Sequence, residues 1–168
     1  MTKILVGLLA MVPFVGLILA AWIISIQANN NYIGHLERAA TANTIEIAKT
    51  ELSVSVTYLK NNKMTDGYTS AIYRTPDEDV GYWYKNLDAS LAGLNAAAAR
   101  TEMSELERSN ILLKLRETLQ GHGSEGTYVI HPDGISRYPN NGLWSFFFTV
   151  TGVLALVGFI LVTIGLNE

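Results

Sequence analysis

Two stretches of the chain are apolar without interruption, and everything between them alternates. Residues 143–166 read LWSFFFTVTGVLALVGFILVTIGL, with no charge and no proline. As a helix rising about 1.5 Å per residue this stretch covers roughly 36 Å, enough for a hydrocarbon layer about 30 Å thick. A segment so apolar must satisfy its backbone polar groups internally, which a helix does. From its place late in the chain it is not expected to act as a secretory signal.

Residues 4–26 are equally free of charge and are preceded only by Lys3 and two uncharged residues. Ile26-Gln27-Ala28 offers a passable cleavage site for a signal peptide. The apolar run exceeds the roughly 7–15 residues of a signal core, and the basic region before it is a single lysine, so an uncleaved span is the expectation. Pro13 is expected to bend it. Trp22 closes this span, and Trp144 with Phe146, Phe147 and Phe148 opens the other. Both aromatic sets thus fall on the side of the membrane facing the central residues, as interfacial belts do.

The pattern changes over residues 27–142, where apolar positions recur at helical spacing. Ile33, Leu36, Ala40, Asn43, Ile47, Val54 and Tyr58, with Leu52, Val56 and Leu59 widening the stripe, predict one helix over about 32–61, entered directly from the first span through Asn29–Asn31. Thr75-Pro76-Asp77-Glu78 combines a capping box with a proline at the first helical position. It predicts a helix over 76–99 whose stripe is Val80, Trp83, Tyr84, Leu87, Leu91, Leu94 and Ala98. Ser104 and Glu107 form a second box ahead of a helix over 104–120, with Leu106, Leu112, Leu113, Leu115 and Leu119 apolar and Gly121 as its stop. Residues 127–138, folded about His131-Pro132-Asp133-Gly134, predict a short hairpin that must lean on the helices or the membrane surface to be stable. The expected architecture is mainly α. Two transmembrane helices, between tails 1–3 and 167–168, frame a small extramembrane antiparallel helical bundle with a β-hairpin-like extension.

Composition narrows the function classes. The 168 residues carry a net charge of −3, which gives no electrostatic reason to expect nucleic acid. There is no cysteine, hence no disulfide framework and no thiolate nucleophile or ligand. No Asn-x-Ser/Thr sequon marks a glycosylated surface. Lys3 against Arg38 and Arg137 is too little for the positive-inside rule. The commoner arrangement is therefore adopted: both ends cytoplasmic and residues 27–142 outside an inner or plasma membrane.

Candidate chemistry is sparse. Gly121–Gly126 spells G-x-G-x-x-G, but the motif needs a strand before it and a helix after it, and here the expected order is reversed. A flexible helix stop is the plainer reading. Asp77, Glu78 and Asp79 suit a helix N-terminus better than a cation site. His35, His122 and His131 lack ligand partners at helical spacing, so no metal or other cofactor is expected. Tyr82, Trp83 and Tyr84 form the most promising surface, read either as core or as a patch for a partner or ligand. In the spans, Gly16 and Ala20 lie four apart, and Thr151, Gly158 and Gly165 recur every seven residues. These are either a helix packing face or the ordinary glycine content of membrane helices.

The layout is similar to that of the sensing halves of bacterial membrane receptors, although no output module is expected after the second span. The leading expectation is a non-enzymatic two-pass protein, its partners the bilayer and another membrane protein or a second copy of itself. A small-ligand sensor is the alternative. A membrane enzyme using His131 with Asp133, or the acidic helix start, is the third.

Overall fold

The computed structural model describes residues 1–124 and 126–167. The chain forms two compact units, one of residues 1–25 with 140–168 and one of residues 26–139. It is mainly helical with one small antiparallel sheet.

The first unit consists of α1 (Thr2–Ala28), up to Ser25, and α6 (Asn141–Leu166). Both helices are long and apolar enough to cross a membrane. Their apolar side chains face outward: only 6% of the most apolar window of α1 and 11% of that of α6 is buried. A core helix of a water-soluble protein would hide those residues, so the two helices are consistent with a membrane protein. They run antiparallel, with Ile4 against Gly165, Gly7 against Gly158, and Phe14 against Gly152 and Phe148.

The second unit contains α2 (Gly34–Ala40), α3 (Ile45–Asn61), α4 (Val80–Ala98), α5 (Glu105–Leu119), β1 (Gln120–Gly123) and β2 (Gly126–Val129). Its core is made by Leu36 and Ala39 of α2, Ala48, Leu52 and Leu59 of α3, Val80, Leu87 and Leu94 of α4, and Leu115 and Leu119 of α5. Arg116 ties α5 to the end of α2 by donating from Nε to the Ala40 carbonyl at 3.2 Å, which satisfies a helix-terminal acceptor.

The single helix expected over 32–61 is broken. Residues Asn29–Ile33 form a π-helical turn, closed by the Gly34 N–H on the Asn29 carbonyl. A Cβ on Gly34 would stand 2.9 Å from that carbonyl oxygen, so the turn needs a glycine there. Buried Ser55 donates to the Tyr32 carbonyl at 2.8 Å, pinning the turn to α3. Helix α2 then ends where the Thr41 hydroxyl bonds back to the Glu37 carbonyl. Thr44 restarts the helix with extended backbone and an oxygen accepting from the Ile47 N–H at 3.2 Å. The break resets the helical phase. Ile47 and Val54 therefore lie on the outer face, while Ile45, Ala48, Leu52, Val56 and Leu59 face the core.

The helix expected from residue 76 begins at Val80. The Thr75–Glu78 capping box is present, but it opens one 3-10 turn, Pro76–Glu78. Asp79 is then extended because residues 67–69 pair with 78–80: Thr69 N–H donates to the Glu78 carbonyl and Val80 N–H to the Gly67 carbonyl, both at 3.0 Å. Asp79 becomes the actual cap of α4, its Oδ1 accepting from the Tyr82 N–H at 2.9 Å. In α5 the Ser104 cap holds, yet Leu106 and Leu113 are exposed, since only one face of this helix meets the others.

The hairpin also pairs differently from the expectation over 127–138. β2 folds back on β1, with Gln120 opposite Val129, Gly121 opposite Tyr128 and His122 opposite Thr127. Gly121 is thus a strand residue and not a mere stop. The His131–Gly134 segment leads into a 3-10 turn, Ile135–Arg137, because Gly134 takes a left-handed conformation (φ 72°) and Ile135 is drawn into the core. The residue after β2 is tied to α4 through Trp83 Nε1, which donates to the Ile130 carbonyl at 2.9 Å.

An ionic clamp joins α2 to α3. His35 Nδ1 lies 2.6 Å from Glu51 Oε2, and Arg38 donates from Nε to the same oxygen at 3.0 Å. Burial pushes the Glu51 carboxyl up, but hydrogen bonds from His35 and Arg38 and the guanidinium charge outweigh it and hold the group below its ordinary value.

Two predictions follow from this packing. Leu52→Ala lowers stability by about 2–5 kcal/mol, whereas Ile47→Ala stays within about 0.5 kcal/mol, measured by denaturant unfolding of the full chain in detergent. Because the folded pKa of Glu51 is depressed, its contribution is present above about pH 4.5 and lost as the pH falls through the folded value. The melting-temperature gap between wild type and Glu51→Gln is therefore widest near neutrality and closes on acidification; a gap independent of pH would contradict the clamp.

Candidate functional site

The start of α4 and the end of the hairpin enclose an open groove of about 420 Å³. One side comes from the Pro76–Glu78 turn and the first turns of α4, which supply Asp77, Asp79, Tyr82 and Trp83. The other comes from Tyr128, Ile130 and the segment His131-Pro132-Asp133. Its position follows from the pairing described above. Extended Asp79 leads into α4, and the Trp83–Ile130 hydrogen bond ties the end of the hairpin to that helix.

Tyr128 lies close to its neighbour across the strands, Gly121. A Cβ on Gly121 would stand 2.5 Å from the Tyr128 ring, so the ring lies directly over the glycine backbone. Only glycine permits that approach. Tyr128 and Tyr82 are exposed, at 58% and 66%. His131 Nδ1 lies 3.2 Å from the Pro132 carbonyl. An acceptor of that kind requires the hydrogen on Nδ1, which leaves the Nε2 lone pair free in the neutral ring. Asp79 is committed to the Tyr82 N–H. The Thr118 hydroxyl, also in the lining, donates to the Lys114 carbonyl of its own helix.

The aromatic trio separates. Trp83 is a core residue, 7% exposed, whose indole reaches the groove wall. Tyr82 is on the groove, while Tyr84 packs against the core, its hydroxyl pKa raised by burial and by the nearby Asp88 charge. The His131–Asp133 pair and the acidic turn, far apart in sequence, line one groove. Tyr128 escaped the sequence reading; the available signal was an aromatic three residues before His131 beside a glycine-rich strand. Of the G-x-G-x-x-G letters, Glu125 lies outside the described residues; the others are in β1, β2 and the turn between them, with no helix following. Among the described residues, no three His, Asp or Glu side chains converge to hold a metal ion.

In the first unit, Thr151 and Gly158 are buried and Gly165 meets Ile4, where its Cβ would stand 2.8 Å from the side chain. Gly158 and Gly7 are in such close approach that a Cβ on either would come 2.5 Å from the other's carbonyl oxygen. Gly7, with Ala10 one turn on, was not picked out from the sequence. Gly16 has open space around its Cβ position and makes no part of this contact, and Ala20 is half-buried.

Comparison with protein-family models, curated proteins and solved structures finds no match to this chain.

Proposed function

We propose that this chain is a two-pass integral membrane protein whose 26–139 unit is a non-enzymatic binding module, working as a subunit of a membrane assembly. The observation that carries the reading is the outward-facing apolar surface of α1 and α6, on which Leu5, Leu9, Leu156 and Phe159 are all more than half exposed. Surface of that extent is stable only against lipid or other protein. The Gly7–Gly158 approach supports lateral helix packing, because small residues let backbones come together where no hydrophobic force drives association. In the orientation adopted here, Lys3 and Asn167 are cytoplasmic and the 26–139 unit is on the outer side of an inner or plasma membrane.

The partner is a second membrane protein or a second copy of the chain. The exposed face at Gly16, one turn from Ala20, is open for a further helix. A second reading, a small-ligand sensor that passes its signal to a separate protein, is favoured by the groove at Tyr82 and Tyr128.

Photocrosslinking in native membranes tests the leading reading, with a photoreactive residue in place of Tyr82 in one protein and of Gly16 in another. A specific neighbour trapped at either position is expected. A chain that purifies strictly as a monomer and traps nothing would overturn the subunit proposal.

A further inference from the structure

We propose that the groove between α4 and the hairpin binds a small organic cation, an alkylammonium or quaternary ammonium compound. The inference rests on the ligand-sensing reading and names the chemical class the groove would take.

Charge selects the sign. The lining carries three carboxylates, Asp77, Asp79 and Asp133, and neither lysine nor arginine. The N-terminus of α4 adds about half a positive charge, and Asp79, already bonded to the Tyr82 N–H, offsets it. Asp77 and Asp133 remain, against a His131 that is uncharged when its ring is neutral. An anion meets net repulsion here and a cation meets attraction.

The arrangement of those carboxylates selects the size. A calcium or magnesium ion needs several oxygen atoms converging on one point, and no such convergence exists among the described residues. The acidic groups line the groove without converging on one point. The space of about 420 Å³ is far larger than a bare ion requires and lies within the roughly 300–1,000 Å³ of small-molecule sites.

The walls select the character of the charge. Tyr82 and Tyr128, both exposed, line the groove from α4 and from β2, together with the apolar Leu87 and Pro132. Aromatic faces attract a cation through the ring quadrupole, and they do so best when the charge is spread and weakly hydrated. Gly121, having no Cβ, leaves room for the Tyr128 ring to lie over the strand. A lining of acidic, aromatic and apolar residues together suits an ammonium group bearing methyl or methylene substituents.

Isothermal titration of the full chain in detergent micelles at pH 8 tests this, with choline as the probe and 3,3-dimethylbutan-1-ol as its uncharged isostere. Saturable choline binding is expected, at least about tenfold tighter than that of the alcohol. Tyr82→Leu and Tyr128→Leu each weaken it about fivefold. Asp133→Asn weakens it severalfold, and the same loss follows from raising the salt concentration. All three side chains are exposed, so far-ultraviolet circular dichroism of the variants should match wild type.

Absence of saturable choline binding, equal binding of the alcohol, or unchanged affinity in the Tyr82→Leu/Tyr128→Leu double variant would each overturn the proposal. A thermal-shift screen of the same protein against neutral and anionic metabolites separates the two levels. Stabilisation by an uncharged or anionic compound, abolished in the double variant, would overturn the cation class and leave the sensing reading standing. No stabilisation by any compound, choline included, would overturn both.

Discussion

The constraint on which the structure turns is the solvation of two helices that are apolar on every side. Neither α1 nor α6 has a polar face to give to water, and pairing with each other covers only a narrow strip of each. Most of their apolar surface stays exposed, which is consistent with lipid around it. In such a medium no hydrophobic force draws the helices together, so their contact depends on close van der Waals approach. Gly7 against Gly158 supplies it, backbone to backbone, with Phe14 edge-on to Phe148 at 6.3 Å between ring centroids.

The 26–139 unit is built on the opposite principle, a core of leucine and alanine closed against water. Its helices are short, and side chains settle several of their ends. Thr44, Asp79 and Ser104 cap the starts of α3, α4 and α5, and Arg116 takes a carbonyl at the end of α2. Capping of this kind contributes about 1 kcal/mol at each terminus, which matters for helices of one or two dozen residues. The extended residues between the helices are equally fixed. Asp79 and the hairpin are held by backbone pairing and by the Trp83 indole, and the groove exists because those two constraints bring residues 77–83 and 128–133 to one place.

Much of this was legible from the residues alone. Uncharged runs long enough to span a bilayer announce α1 and α6, and Ser104 announces α5. What could not be read locally was decided by tertiary pairing. The Thr75–Glu78 box is a sound helix signal, yet the 67–69 segment competes for the same backbone and delays α4 to Val80. Nothing in Thr41–Thr44 is as strong as a proline or glycine, so the break between α2 and α3, and with it the outward turn of Ile47 and Val54, was invisible to periodicity. Pro132-Asp133-Gly134 is a better turn sequence than the residues around Ser124, but Ile135 gains more by entering the core than by pairing as a strand. The groove was the least accessible feature, since its acidic, aromatic and histidine residues are separated by some 50 positions along the chain.

The absence of cysteine makes the central claim, a chain that crosses the bilayer twice, directly measurable. Single cysteines introduced as Thr2→Cys, Gly93→Cys and Asn167→Cys can each be challenged with a membrane-impermeant maleimide on intact cells and again after permeabilisation. Thr2 and Asn167 are exposed, and the Gly93 position has open space around it. The account predicts that the label reaches Gly93→Cys from the side opposite to Thr2→Cys and Asn167→Cys, and that these two react together. Labelling of all three from the same side would show that the helices do not cross, and the account would fail.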